Sequence, residues 1–171
     1  MAEKITLNNG AEYEGETQGR VPNGKGKMTY EDGSVFEGDW VNGKLHGKGK
    51  ETWTDENGFL NIYEGDYVNG KRTGKGKYKL PMGIYEGDFV NGLKTGKGKY
   101  TMQDGEVYEG DFVNNMYNGK GKYTYKNGEV YEGEWVDSDR HGKGKMTYPD
   151  GRIEEGNWKN GKFKGKGLFG K

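Results

Sequence analysis

The chain has 171 residues, with 27 basic and 27 acidic side chains and no cysteine, which excludes disulfides, thiol catalysis and Cys-based zinc sites. Gly supplies 34 residues, yet it follows no three-residue period and there are only 3 Pro, which excludes collagen. Leu, Ile, Val and Phe are too few for an ordinary packed core, but 13 Tyr, 4 Trp and zero net charge argue against disorder and against global attraction to nucleic acid or anionic lipid.

The first element, Ile5–Gly10, matches the end of a truncated repeat, so residues 1–12 are expected to form a partial copy that caps the array with one strand. Full copies then begin at Tyr13, Phe36, Tyr63, Tyr85, Tyr108, Tyr131 and Glu154, each followed by Glu-Gly. Eleven residues after each start comes Gly-Lys-Gly, as in Gly24-Lys25-Gly26 and Gly119-Lys120-Gly121. Seven copies with one internal offset define an array over residues 13–171.

Each copy predicts two strands. In the fifth, Val107–Val113 and Gly119–Tyr125 both alternate residue types with period two. Asn42-Gly43, Asn69-Gly70, Asn91-Gly92 and Asn160-Gly161 close first strands, and Asp32-Gly33, Asp104-Gly105, Asn127-Gly128 and Asp150-Gly151 close second strands. Short connections require neighbouring strands to pair antiparallel, and no helical period appears. The prediction is an all-β, continuous antiparallel meander of about fourteen strands.

The pleat places Tyr108, Gly110 and Phe112 on one face, with Gly119, Gly121, Tyr123 and Tyr125 beside them. Rings are expected to lie over neighbouring Gly backbones in place of a second layer. The other face carries acidic strands alternating with Lys strands, which explains the zero net charge and partners the Lys ladder. Three departures stand out. Asp55–Asn61 is an insertion that puts Phe59 and Leu60 in an enlarged turn, the third copy is shortened around Pro81, and Val21-Pro22 marks an irregular first hairpin.

The pattern Tyr-Glu-Gly-x-aromatic, then Gly, then Gly-x-Gly at about 23 residues per copy resembles the MORN (membrane occupation and recognition nexus) repeat family. Thr17 replaces the ring in the first copy, Glu154 replaces Tyr in the seventh, and Phe36 stands in for Tyr in the second. The resemblance implies an elongated, single-layer, twisted sheet with a grooved face. It also implies non-catalytic modules: cytoskeletal and axonemal scaffolds, junctional membrane tethers and appendages of enzymes. Family members that dimerise at the C-terminal end suggest a homodimer through the last repeats, with Leu168 and Phe169 at the joined edge.

No catalytic, cofactor or metal constellation emerges. His46 and His141 occupy the same offset in distant copies and cannot share a metal. Carboxylate pairs such as Glu37 and Asp39 recur beside Lys and read as a charge ladder. Gly-Lys-Gly lacks the Lys-Ser/Thr and the strand-to-helix setting of a phosphate loop.

Two rows of rings are the candidate partner-binding residues: Trp40, Tyr67, Phe89, Phe112, Trp135 and Trp158, and Tyr63, Tyr85, Tyr108 and Tyr131. A single layer is expected to leave part of this strip open to a protein partner, such as a helix or peptide in the groove. The leading expectation is a non-enzymatic scaffold in a cytoskeletal, ciliary or axonemal assembly. The alternative is a module that binds acidic membrane phospholipids through Lys25, Lys48, Lys75, Lys97, Lys120, Lys143 and Lys166. Nucleic acid is not an expected partner. With neither a signal-peptide pattern at the N-terminus nor an apolar run long enough to span a membrane, a cytoplasmic location is expected.

Overall fold

Two-residue turns set the architecture. Gly19-Arg20, Asn42-Gly43, Asn69-Gly70, Asn91-Gly92, Asn114-Asn115, Asp137-Ser138 and Asn160-Gly161 all hold positive φ at both positions. That geometry matches the right-handed twist of the flanking strands and returns the chain antiparallel. The computed structural model describes residues 2–165.

The strands are β1 (Glu3–Thr6), β2 (Glu12–Gln18), β3 (Val21–Thr29), β4 (Val35–Val41) and β5 (Lys44–Thr54). Next come β6 (Leu60–Val68), β7 (Lys71–Leu80), β8 (Gly83–Val90), β9 (Leu93–Met102) and β10 (Val107–Val113). The last are β11 (Met116–Thr124), β12 (Val130–Val136), β13 (Asp139–Thr147), β14 (Ile153–Lys159) and β15 (Lys162–Gly165). They form one open antiparallel sheet of 15 strands in sequence order, with no helix among the described residues. The strand beyond the expected fourteen is β1, the truncated copy, which pairs with β2 through Ile5↔Tyr13.

Contacts within the chain define two compact units, Met1–Pro81 with Asp88–Gly92 and Met82–Gly87 with Leu93–Lys171, so the boundary runs through β8. Within each unit the turns dock on the strand before them. Gly43 N–H donates to the Pro22 carbonyl at 2.9 Å and Gly70 N–H to Leu45 at 2.8 Å. In the second unit Asn115 N–H donates to Lys94 at 3.0 Å and Ser138 N–H to Tyr117 at 2.9 Å. Donors on the hairpin side are thus satisfied copy by copy.

The core lies within the single layer. Gly110 and Gly121 face each other across β10 and β11, and a Cβ at Gly110 would meet the Gly121 Cα at 2.5 Å. The Tyr108 ring lies over this pair, and its hydroxyl donates to the Asp111 carbonyl at 2.8 Å. Tyr13, Tyr63 and Tyr131 make the same bond to Glu16, Asp66 and Glu134. The carbonyl is accessible because a register shift follows each paired Gly, as between Gly110 and Phe112.

Two local expectations are corrected. The first hairpin is regular, since Gly19 and Arg20 adopt the same turn as the other copies; Pro22 sits buried in β3 with its carbonyl accepting from Gly43. Leu60 begins β6 instead of lying in the turn, because the insertion lengthens the ladder by Trp53↔Asn61 and Thr54↔Leu60. Phe59 and Leu60 remain more than half exposed, at 54% and 58%. Pro81 falls in the turn between β7 and β8, where a residue unable to donate to a ladder is expected. Leu168 and Phe169, expected at a dimer edge, lie outside the described residues.

Gly121→Ala would drive a methyl group into the Tyr108 ring. It is expected to destabilise the protein by about 1–3 kcal/mol in urea unfolding. Tyr108→Phe keeps the ring and loses one hydrogen bond, so about 1 kcal/mol is expected.

Candidate partner-binding face

The ten rings expected to meet a partner form the floor of the ring face. Tyr63, Tyr85, Tyr108 and Tyr131 are 0% exposed, and Trp40, Tyr67, Phe89, Phe112, Trp135 and Trp158 are 2–4% exposed. Apart from Tyr67, whose preceding copy starts with Phe36, each ring of the second row closes over the tyrosine of the copy before it, edge to face. Tyr13–Trp40 and Tyr63–Phe89 stand 5.6 and 5.0 Å apart in the first unit. Tyr85–Phe112, Tyr108–Trp135 and Tyr131–Trp158 stand at 4.9, 5.4 and 5.2 Å in the second. This geometry favours ring pairs by about 0.5–1.5 kcal/mol beyond burial. Indole N–H groups are satisfied too, Trp135 by the Gly121 carbonyl at 3.1 Å and Trp158 by Gly144 at 3.0 Å. The expectation of an open strip made of these rings therefore changes: they cover one another, and a partner would meet what lies above them.

Above the floor lies a second tier from three further offsets. Nine residues after each start stand Pro22, Leu45, Arg72, Lys94, Tyr117, Arg140 and Phe163. Fifteen and seventeen residues after the starts stand residues such as Glu51, Tyr78, Tyr100 and Tyr123, and Trp53, Met102, Tyr125 and Tyr148. Most are half-buried. Tyr117 stacks flat on Tyr108 at 3.7 Å. Met82, Tyr100, Met102, Gln103 and Asp104 line a hollow of about 470 Å³ in the second unit.

Alternation along the chain does not single out the ninth offset, because it places the start of each second strand at Gly-Lys-Gly. They start earlier, as β11 does at Met116, and Phe112↔Tyr117 pairs beyond the register shift. The available signal was the mixture of residue types at one fixed offset.

Cations at this offset sit on rings. The Arg72 guanidinium lies 4.7 Å from Trp53, 4.8 Å from Tyr63 and 5.0 Å from Tyr78. Its Nη2 and Nε donate to one Glu51 oxygen at 2.7 and 3.0 Å, and Tyr67 donates to the same oxygen at 3.1 Å. The Lys94 ammonium sits 5.2 Å from Tyr85 and 4.9 Å from Tyr100, and burial lowers its pKa. Arg140 lies 4.7 Å from Trp158. Tyr123 donates a short hydrogen bond to Glu106.

On the opposite face Lys25–Asp39, Lys48–Asp66, Lys75–Asp88 and Lys97–Asp111 pair at 2.5–2.6 Å. The carboxylate three residues after the copy start has a second task that sequence did not suggest: Asp111 accepts the Lys120 N–H at 3.0 Å, which ties the register shift together. His46 and His141 fall in different units, and the described residues hold no His, Asp and Glu group able to bind a metal ion.

MORN repeat models match residues 13–35, 36–58, 63–84, 85–107, 108–130, 131–151 and 155–170. The chain belongs to the MORN repeat family. MORN repeats form a non-catalytic family that generally serves as protein or membrane interaction scaffolds. Six of the seven matches begin at the copy starts and the seventh one residue after Glu154, while the 59–62 gap overlaps the end of the insertion. A comparison with curated proteins finds no match.

Burial pushes the Tyr63 and Tyr131 hydroxyls up to about 12, with nearby Arg72 and Arg140 pulling the other way. A raised tyrosine pKa contributes stability that is full below the unfolded value of about 10 and is lost as pH rises towards the folded value. Tyrosinate absorbance of the native MORN array is expected to lag that of the urea-unfolded chain between pH 10 and 12, and to rise together with loss of the sheet's circular dichroism.

Proposed function

We propose that this MORN array is a non-catalytic scaffold whose ring face receives a helix or peptide of a partner protein, in a cytoskeletal, ciliary or axonemal assembly of the cytoplasm. The observation that carries the reading is the second tier. Half-buried Tyr78, Tyr100, Tyr117 and Tyr125 stand on a sealed aromatic floor and present amphipathic rings at little entropic cost. The 470 Å³ hollow beside Tyr100 and Met102 suits one apolar side chain of such a segment. The assembly is inferred from family membership.

The phospholipid reading is the weaker one. Lys25, Lys48, Lys75 and Lys97 spend their charge on aspartates, and paired lysines attract an anionic surface poorly.

Affinity capture from the native source tests the reading, with wild-type chain beside a Tyr100→Ala, Tyr125→Ala double variant. The wild type is expected to retain a defined partner that the variant loses by about tenfold or more, with both chains folded by circular dichroism. Equal retention by the two would refute docking on this face. In parallel, vesicles containing phosphoinositides are expected not to co-sediment with the protein at physiological salt.

A further inference from the structure

The copies are controls for one another, and Arg72 and Arg140 occupy the same offset. Both guanidiniums stack on floor and second-tier rings: Arg72 on Trp53, Tyr63 and Tyr78, and Arg140 on Trp158, Tyr131 and Tyr125 at 4.7, 5.8 and 6.0 Å. Stacking fixes the guanidinium plane and leaves its edge to donate in the plane.

The edges meet different partners. Arg72 donates twice to Glu51, the residue fifteen places after the start of the preceding copy. The residue at that position relative to Arg140 is Tyr123, which cannot offer a carboxylate. Arg140 gives one N–H to the Gly161 carbonyl at 2.6 Å and forms no ion pair with a described residue. Of the acids on the same face, Glu106 accepts from Tyr123 and from the Lys126 N–H, Glu154 accepts from Tyr148 and pairs with Arg152, and Glu129, whose charge acts on Tyr125 and Tyr148, makes no hydrogen bond or ion pair with Arg140. Arg140 is half-buried, so water satisfies its edge incompletely while a carboxylate could reach it.

We propose that Arg140 anchors a carboxylate side chain of an acidic partner segment lying across the ring face of the second unit. The partner's Asp or Glu takes the place that Glu51 fills for Arg72 in the third copy. This rests on the reading of the ring face as a docking surface, and adds to it the chemistry of the occupant: a segment whose acidic residues interrupt apolar ones. A charge-assisted pair on a fixed guanidinium selects carboxylate over the neutral amide of the same shape.

The test uses the full chain and two fluorescein-labelled peptides of equal length, one alternating Glu with Leu and one alternating Gln with Leu. Fluorescence anisotropy is expected to show the Glu peptide binding about tenfold more tightly than the Gln peptide. Arg140→Gln should remove that difference. Tyr123→Glu should remove it too while leaving Arg140 in place, because it rebuilds the internal partner that Arg72 has. Glu51→Tyr should raise affinity for the Glu peptide by freeing Arg72. Equal binding of both peptides, unchanged in Arg140→Gln, would overturn the carboxylate assignment and leave the docking face standing. Failure of both peptides to bind would overturn the assignment and count against the docking face as well. Arg140-dependent binding to phosphatidylserine vesicles without preference for the Glu peptide would overturn it in favour of a membrane surface.

Discussion

A tyrosine ring lying on a pair of glycines is the contact on which this sheet depends. A single layer has no opposing layer to bury its apolar face, so the face must be closed from within. Gly110 and Gly121 remove two side chains at facing positions, and Tyr108 fills the space from the same strand. The ring buries apolar surface and hands its hydroxyl to the Asp111 carbonyl, which the register shift has turned away from the ladder. Burial, backbone satisfaction and strand curvature thus meet in one residue. The next copy's indole or phenyl ring then covers the tyrosine, as Trp135 covers Tyr108, and so repeats need their neighbours. The second copy shows the dependence by exception: with Phe36 in place of Tyr, the ring over Gly49 is Tyr67.

The same geometry separates structural from variable positions. Floor rings and paired glycines are confined by contacts with backbone and tolerate little change. The ninth offset is not so confined, and carries Pro, Leu, Arg, Lys, Tyr and Phe in different copies. All of these can lie on an aromatic floor, the cations through the ring quadrupole and the others through apolar contact. A regular scaffold can therefore present a different residue in each copy, which is how a repetitive sequence acquires a specific surface. Arg72 and Arg140 mark the two outcomes, one charge answered inside the array and one left for a ligand.

On the other face, charge is arranged for neutrality. The lysines of Gly-Lys-Gly and the acids of Tyr-Glu-Gly strands pair across the ladder, mostly in solvent, where each pair contributes little. Pairing at Lys25, Lys48, Lys75 and Lys97 leaves the ring face as the more distinctive surface. The exposed Phe59 and Leu60 belong to the one enlarged hairpin, where the insertion extends two strands beyond their neighbours.

Sequence by itself determined the all-β class, the seven copies, the strand order and the face on which each ring sits. These follow from period-two alternation, Gly-containing turns and a fixed offset, all of which are local. It also held the turns at Asn114-Asn115 and Asp137-Ser138, but only through homology with the other copies, since neither carries Gly to advertise positive φ. Tertiary structure decided which rings are sealed and which stand open. Tyr108 and Tyr117 are the same residue type on the same face, yet one is fully buried and the other lies stacked above it. That difference depends on the register shift, which brings Tyr117 opposite Phe112, and on rings from the following copy. Neither is encoded in alternation along one strand. The partner of a charge was likewise a tertiary matter. Arg72 and Glu51 are separated by one intervening strand, β6, and meet only because the sheet sets successive copies side by side, while the same packing brings Arg140 to rings and a backbone carbonyl without an acid.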